Sequence, residues 1–155
     1  MIIKNIAIKN FRGFANKYFD FDAKMNVVLG NNTTGKTTLL HAVQIALGAF
    51  LQELKLVSGC TRNAKDSDIA RIYSETTKSF QKLLEKPCFE VNAIITDGTF
   101  HFDSNEYIAE EKNIEWIRSG SKNSRRNAGE LIDAVAKMEQ KRRNADATKT
   151  TSVLP

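Results

Sequence analysis

The chain has 155 residues, of which 41% are hydrophobic and 26% charged, and its formal net charge is +5 at pH 7. That length supports one domain with a substantial core, and the composition excludes the disordered and membrane-spanning classes. The positive charge favours encounter with polyanions without establishing it.

Ile6 and Ile8 alternate with Ala7 and Lys9, which predicts a half-buried strand running into Asn10-Phe11-Arg12-Gly13-Phe14, with a bend at Gly13. Phe19 and Phe21 alternate with Tyr18, Asp20 and Asp22, and the short connection makes this second strand antiparallel to the first. Met25 to Leu29 is a continuous apolar run, expected to be a strand covered on both faces. Directly after it, Gly30-Asn31-Asn32-Thr33-Thr34-Gly35-Lys36-Thr37 fits G-x-x-x-x-G-K-[ST]. Between a strand and a helix this pattern reads as a phosphate-binding loop. Gly30 and Gly35 permit backbone angles that let successive N–H groups, out to Thr38, turn inward on an anion. Lys36 places a cation at the β and γ phosphates of ATP, the Thr37 hydroxyl suits Mg²⁺, and the helix dipole points its positive end the same way. A Gly-rich turn that binds nothing would leave Lys36 and Thr37 unexplained.

The helix that follows, Leu39 to Leu56, is expected to be mostly buried, with a narrow polar stripe of His41, Gln44, Gly48, Gln52 and Lys55. His41 is read there as a solvated position rather than a catalytic group. The polar interruptions make this stretch too poor for a membrane span, and the amino terminus lacks the order of a signal peptide, so a cytoplasmic protein is expected. Residues 58–86 read as a polar helical connection. In it Asp66-Ser67-Asp68 is expected to cap a short helix beginning near Ile69, although the same carboxylates could meet Mg²⁺ or a neighbouring subunit. Cys60 and Cys88 lack metal-site spacing and read as reduced thiols.

Phe89, Val91, Ala93 and Ile95 alternate into Asp97-Gly98, and Phe100 and Phe102 alternate out of it, which predicts a hairpin with an Asp-Gly turn. Ile114 to Arg118 reads as a third strand, with Trp116 in the core rather than serving as a base-stacking platform. Ser119 to Asn127 reads as a loop, and Leu131, Ile132, Val135 and Met138 mark one face of a helix from about Gly129 to Arg143. Its basic end, Lys137, Lys141, Arg142 and Arg143, is read as a solvated surface; with Arg118, Lys122, Arg125 and Arg126 the alternative is a nucleic-acid patch.

The early loop, the two strands before it and the phrase Ile8-Lys9-Asn10-Phe11-Arg12-Gly13-Phe14 resemble the amino-terminal lobe of the ABC-type P-loop ATPases of the RecF, SMC and OLD group. Arg12 matches the family arginine that lies near the nucleotide, and Asn32 matches the common Asn of its loop. Thr33 stands where the family usually has Gly, and Thr34 where a small residue is usual. The helix to Leu56 followed by Asp66-Ser67-Asp68-Ile69-Ala70-Arg71 also resembles a bacterial subgroup that includes the Septu and retron-associated antiphage ATPases.

The resemblance implies an α/β P-loop NTPase lobe with a flanking antiparallel β-subdomain, ATP and Mg²⁺ as ligands, and a site shared between two heads in a homodimer. It further implies coupling to DNA or to an effector nuclease, with Arg12 and Gly30 to Thr38 at the nucleotide, Lys36 as the catalytic cation and Thr37 as the metal ligand. The expected organisation is 1–57 for the first strands, loop and helix, 58–86 for the connection, 87–118 for the antiparallel strands and 119–155 for a basic loop, helix and tail. After Arg118 no apolar strand ends in Asp-Glu, the Walker B element, and no Ser-Gly-Gly signature follows. The end at Thr150 to Pro155 reads as a cut just as another strand begins, so hydrolysis is expected of a longer protein. The reading from a different class is a nucleotide-gated interaction module that binds ATP without turnover.

Overall fold

The alternation of Ile6 and Ile8 with polar neighbours does produce a strand, β1 (Ile2–Phe11), which turns at Arg12 and Gly13 into β2 (Phe14–Asp20). The structure, a computed structural model, describes residues 1–53, 62–101, 106–119 and 128–151. β1 pairs antiparallel with β2, placing Ile6 opposite Phe19 and Phe11 opposite Phe14, and the Phe21 N–H extends the pairing to the Lys4 carbonyl at 2.7 Å. On its other side β1 pairs with β5 (Cys88–His101), which in turn pairs with β6 (Glu106–Ser119). The resulting four-stranded sheet has the order β2-β1-β5-β6 and is antiparallel throughout.

One face of the sheet is apolar and the other polar, as period-2 alternation dictates. Ile6, Ile8, Phe89, Val91, Ala93, Ile95, Ile114 and Trp116 are buried beneath three helices, α1 (Lys36–Ala46), α2 (Gly48–Glu53) and α3 (Gly129–Thr151). The helices contribute Leu39, Ala42, Ile45, Ala46, Ala49, Leu131 and Val135 to the same core. Trp116 is a core residue, as expected, and its indole N–H donates to the Ala46 carbonyl at 2.9 Å, capping the end of α1.

Several expectations fail, each for a physical reason. Met25 to Leu29 is not a strand: it runs irregularly, with Met25 75% and Leu29 86% exposed. An apolar run becomes a strand only where neighbours pair its N–H and C=O groups, and no described strand lies beside this one. The first helix is interrupted at Leu47, and Leu54 to Leu56 lie outside the described residues. Leu40, expected inward, is exposed, whereas Gly48, expected on the polar stripe, is buried, packed so that a β-carbon there would lie 3.4 Å from the Arg118 guanidinium.

Asp66-Ser67-Asp68 does not precede a helix; these residues are themselves one 3₁₀ turn, closed by the Lys65 N–H donating to the Asp68 carboxylate at 3.0 Å. Ile69 is extended and bridges to Phe11. The connection then forms a hairpin, β3 (Arg71–Ser74) with β4 (Ser79–Lys82), in place of the expected helical stretch. Asp97-Gly98 makes no turn either. β5 continues through it, with Asp97 opposite Glu110 and Gly98 opposite Ala109, because paired strands on both sides of the dipeptide outweigh its local preference. The three expected strands are therefore two long ones, β5 ending at His101 and β6 starting at Glu106, and Phe102 lies outside the described residues.

α3 starts at Gly129 as expected and continues past Arg143 to Thr151. The imagined basic patch does not assemble among the described residues: Arg118 is buried, reaching Asn63 Oδ1 at 3.2 Å, and Lys141 pairs with Asp97 at 2.7 Å. Cys60, Lys122, Arg125, Arg126 and the tail 152–155 lie outside the described residues. No described helix is long and apolar enough to cross a membrane.

Candidate functional site

The loop Gly30 to Lys36 is built from its own backbone. The Asn31 carbonyl accepts from the Thr34 hydroxyl at 2.8 Å and from Lys36 Nζ at 2.7 Å, and Lys36 Nζ also donates to the Gly30 carbonyl at 2.6 Å. An ammonium has three donors, so two brace the loop and one is left to face outward. Gly35 is in the left-handed region at φ 95°, and a β-carbon there would come within 2.7 Å of the Phe14 ring. Phe14, from the β1–β2 turn, is thereby the wall against which the loop is seated. Gly30 is equally constrained, since a β-carbon would lie 2.6 Å from Thr34 Oγ1. Thr33, where the family usually carries Gly, adopts φ 76°. That is a strained conformation for a β-branched residue, and it explains the family's usual glycine.

α1 begins at Lys36 with Gly35 as its cap residue, no capping side chain and no acidic residue in its first turn. Its leading N–H groups and dipole are therefore not neutralised locally, the condition in which a helix start suits an anion. Asn31, Asn32, Thr33, Thr34 and Thr37 are exposed, and Lys36 and Thr38 are half-buried. A cavity of about 270 Å³ beside the loop is lined by Phe14, Lys17, Phe19, Val28, Gly35 and Lys36 among others. These features fit a Mg-nucleotide: Lys36 and the uncapped helix start supply positive charge, and Thr37 offers an exposed hydroxyl for the metal.

Arg12 occupies a second cluster. It sits at φ 52° in the tight β1–β2 turn, after Asn10 at φ 56°, and is held by its N–H on the Asp68 carbonyl at 2.7 Å and by Nε on Asp68 Oδ1 at 2.8 Å. Its Nη1 lies 2.7 Å from His41 Nδ1. His41 is on α1, one turn after Thr37, so this bond fixes the arginine against the face of the helix that starts at the loop. His41 is thus a partner of Arg12 and not simply a solvated residue. The same i, i+4 spacing from Thr37 to His41 was present in the sequence; the third member, Asp68, could be found only from the fold.

Charge in the cluster follows from these contacts. An arginine donates, so His41 accepts through Nδ1 and must be neutral there. Burial first, then the Arg62 and Arg12 charges, push the His41 pKa below its ordinary value, with Asp68 opposing. Burial pushes the Asp68 carboxyl up, but the Lys65 N–H, Arg12 and Arg62 outweigh it and hold the group below the usual range. Among the described residues no group of three or more His, Cys, Asp or Glu side chains is arranged to hold a metal. Asp68 closes the turn through the Lys65 N–H and holds Arg12.

The chain matches the AAA_23 family, an AAA domain, over residues 5–151. It is 29% identical over 86 residues to the DNA replication and repair protein RecF of Picosynechococcus sp., covering 56% of this chain and 20% of that protein. To RecF of Clostridium acetobutylicum it is 44% identical over 43 residues, 28% of this chain and 12% of that one. To the DNA double-strand break repair Rad50 ATPase of Nanoarchaeum equitans it is 27% identical over 101 residues, 64% of this chain and 12% of that one. A structure from work on ATP-driven dimerization and DNA-stimulated activation of SMC ATPases matches with a TM-score of 0.44 and 12% identity, over 89% of this chain and 81% of that one. The chain spans about a fifth or less of the length of the curated relatives it matches. It belongs to the AAA_23 family of AAA domains, and its P-loop lobe is similar to parts of RecF and Rad50.

Proposed function

We propose that this lobe binds Mg-ATP at Gly30 to Thr38, and that the protein to which it belongs hydrolyses it between two heads. Lys36 serves the β and γ phosphates, Thr37 holds Mg²⁺, the loop N–H groups receive the phosphate oxygens, and Arg12 stands at the edge of the site. The metal, when bound, neutralises charge that develops on the phosphates. The observation that carries the reading is the braced Lys36 at the head of an uncapped α1. The names of the relatives favour coupling of the cycle to DNA repair, and we take the protein to be a cytoplasmic homodimer; the Septu-like segment favours antiphage defence and an effector nuclease. A binding-only, nucleotide-gated module is the second reading, favoured by a loop and helix start that offer phosphate contacts by themselves.

Calorimetry with Mg-ATP tests the first step. Lys36→Ala removes a charge-assisted contact worth roughly 1.5–3 kcal/mol, a loss of about ten- to hundredfold in affinity. Thr37→Ala should weaken binding with Mg²⁺ much more than with EDTA, and Thr37→Ser should be mild. Equal affinity in parent and Lys36→Ala overturns the loop assignment. Steady phosphate release by the chain alone, dependent on Lys36, removes the binding-only reading.

A further inference from the structure

The β3–β4 hairpin presents one face whose chemistry the nucleotide site does not use. Its register places Tyr73 opposite Phe80 and Arg71 opposite Lys82, so strand alternation puts all four side chains on the same face. The two rings contact edge to face, with centroids 5.4 Å apart, yet Tyr73 remains 51% and Phe80 69% exposed. Neither belongs to the core. Ile72, Ser74, Ser79 and Gln81 alternate onto the opposite, uncharged face.

Two features make this face costly unless something binds it. Like charges directly opposite one another are destabilising in an antiparallel pair, and among the described residues no ion pair neutralises Arg71 or Lys82. A two-stranded hairpin is also marginal in water by itself, and exposed rings lower its solubility further. The base of the hairpin is nevertheless fixed: the Leu83 N–H donates to the Ala70 carbonyl at 3.0 Å, and the Ala70 N–H to the Asn10 carbonyl at 3.0 Å. The face is therefore held out from β1 on a defined stem.

We propose that this face is a binding platform for single-stranded nucleic acid, with bases stacked on Tyr73 and Phe80 and the backbone phosphates met by Arg71 and Lys82. Flat apolar rings beside unpaired cations match a ligand that alternates flat π-faces with anionic phosphates. A duplex hides its base faces in its own stack. A second copy docking face to face would oppose Arg71 and Lys82 with the same cations, so charge complementarity selects the polyanion. An acidic peptide satisfies the cations but offers nothing to stack. The nearby acids are Glu75, in the turn, and Glu85, which lines one groove with Tyr73 and Lys82 but is engaged by Asn10 Nδ2 at 3.0 Å. The platform does not depend on the nucleotide loop.

Fluorescence anisotropy of the full chain with a labelled oligo-dT 15-mer tests this. Tyr73→Ala and Phe80→Ala should each weaken binding about five- to hundredfold, the range of base–aromatic stacking. Phe80→Leu, which keeps apolar bulk but loses the ring, should resemble Phe80→Ala. Arg71→Gln and Lys82→Gln should each reduce the slope of log affinity against log salt by about 0.7. All four side chains are exposed, so an unchanged urea midpoint serves as the control for folding. Parent-like binding by Phe80→Ala or Phe80→Leu overturns the proposal, as does equal affinity for duplex DNA or polyglutamate. A dimer abolished by Phe80→Ala while oligo-dT affinity is unmoved also overturns it, in favour of a second copy.

Discussion

Phe89 to Ile95 and Met25 to Leu29 are comparably apolar stretches with opposite outcomes. In the first, Phe89, Val91, Ala93 and Ile95 are each at most 2% exposed, and every residue of β5 is paired with β6 while its amino-terminal part is also paired with β1. In the second, Met25, Val27 and Leu29 are 75%, 66% and 86% exposed. Hydrophobicity favours burial but does not supply hydrogen bonds; a strand needs neighbours for both. β5 has two neighbours within the chain, and the segment leading into the phosphate loop has none among the described residues. Its exposed side is continued by an apolar groove of about 410 Å³ lined by Ile3, Phe21, Val28, Leu39, Leu40 and Val43.

The largest expected effect lies in the paired half. Trp116 is 2% exposed and bonds the end of α1 to β6, so Trp116→Ala should destabilise by about 3–5 kcal/mol through the cavity and the lost donor. Trp116→Phe keeps most of the volume and should cost much less. Urea unfolding monitored by far-UV circular dichroism checks both, and a loss under about 1 kcal/mol for the alanine variant would show that the sheet does not depend on this contact.

The cluster that joins the two halves should respond to pH. His41 has a lowered pKa in the fold, so below its unfolded value of about 6.5 the unfolded chain takes up a proton that the folded one resists. Stability should therefore fall as pH drops from about 7 toward the folded pKa, and the Arg12–His41 bond should be lost with it. Asp68, whose pKa is also lowered, is an acid held in its charged form, so it contributes stability above its unfolded pKa and loses it only in stronger acid. The difference in urea midpoint between pH 7.5 and pH 5.5 should shrink in His41→Gln. An equal difference in both proteins would assign the pH dependence to other groups.

What the sequence showed follows the same division. β1, β2, Trp116 and the face of α3 are written in short-range alternation, and the loop is written as a contiguous motif, so all were legible. The hairpin turn at Asp97-Gly98 was misread because a dipeptide preference is local whereas the pairing of Asp97 with Glu110 is not. Asp68 was misread as capping a following helix, and it was not legible as the partner of Arg12, since 56 residues separate them. Met25 to Leu29 was misread because its apolar character reports what it would bury, not whether a partner is present.

Thr33 offers a smaller test, at the point where the unpaired segment enters the loop. Relieving a β-branched residue at φ 76° gains about 1–2 kcal/mol, and glycine's extra freedom in the unfolded chain returns about 0.5–1 of it. Thr33→Gly should therefore stabilise by up to about 1.5 kcal/mol, read as a higher urea midpoint, without weakening Mg-ATP binding. A destabilised variant would mean that the threonine side chain makes a contact worth more than the strain.

Leu29→Ser is expected to have the smallest effect on stability, and that smallness distinguishes the two halves. A side chain 86% exposed loses almost nothing when made polar, so the urea midpoint should move by less than about 0.5 kcal/mol. Its effect should appear instead in association. Met25, Val27, Leu29 and Leu40 form exposed apolar surface beside a groove, and such patches drive self-association of a chain at modest concentration. Sedimentation should show the parent oligomerising and the Leu29→Ser, Val27→Thr double variant remaining smaller. In a longer protein that supplies strands to either side of Met25 to Leu29, the balance should invert: the segment would be paired and buried, and the same Leu29→Ser change would cost about 2 kcal/mol or more. A full penalty already present in the 155-residue chain would mean that the segment is covered here after all, and that its apolar character is satisfied within this lobe.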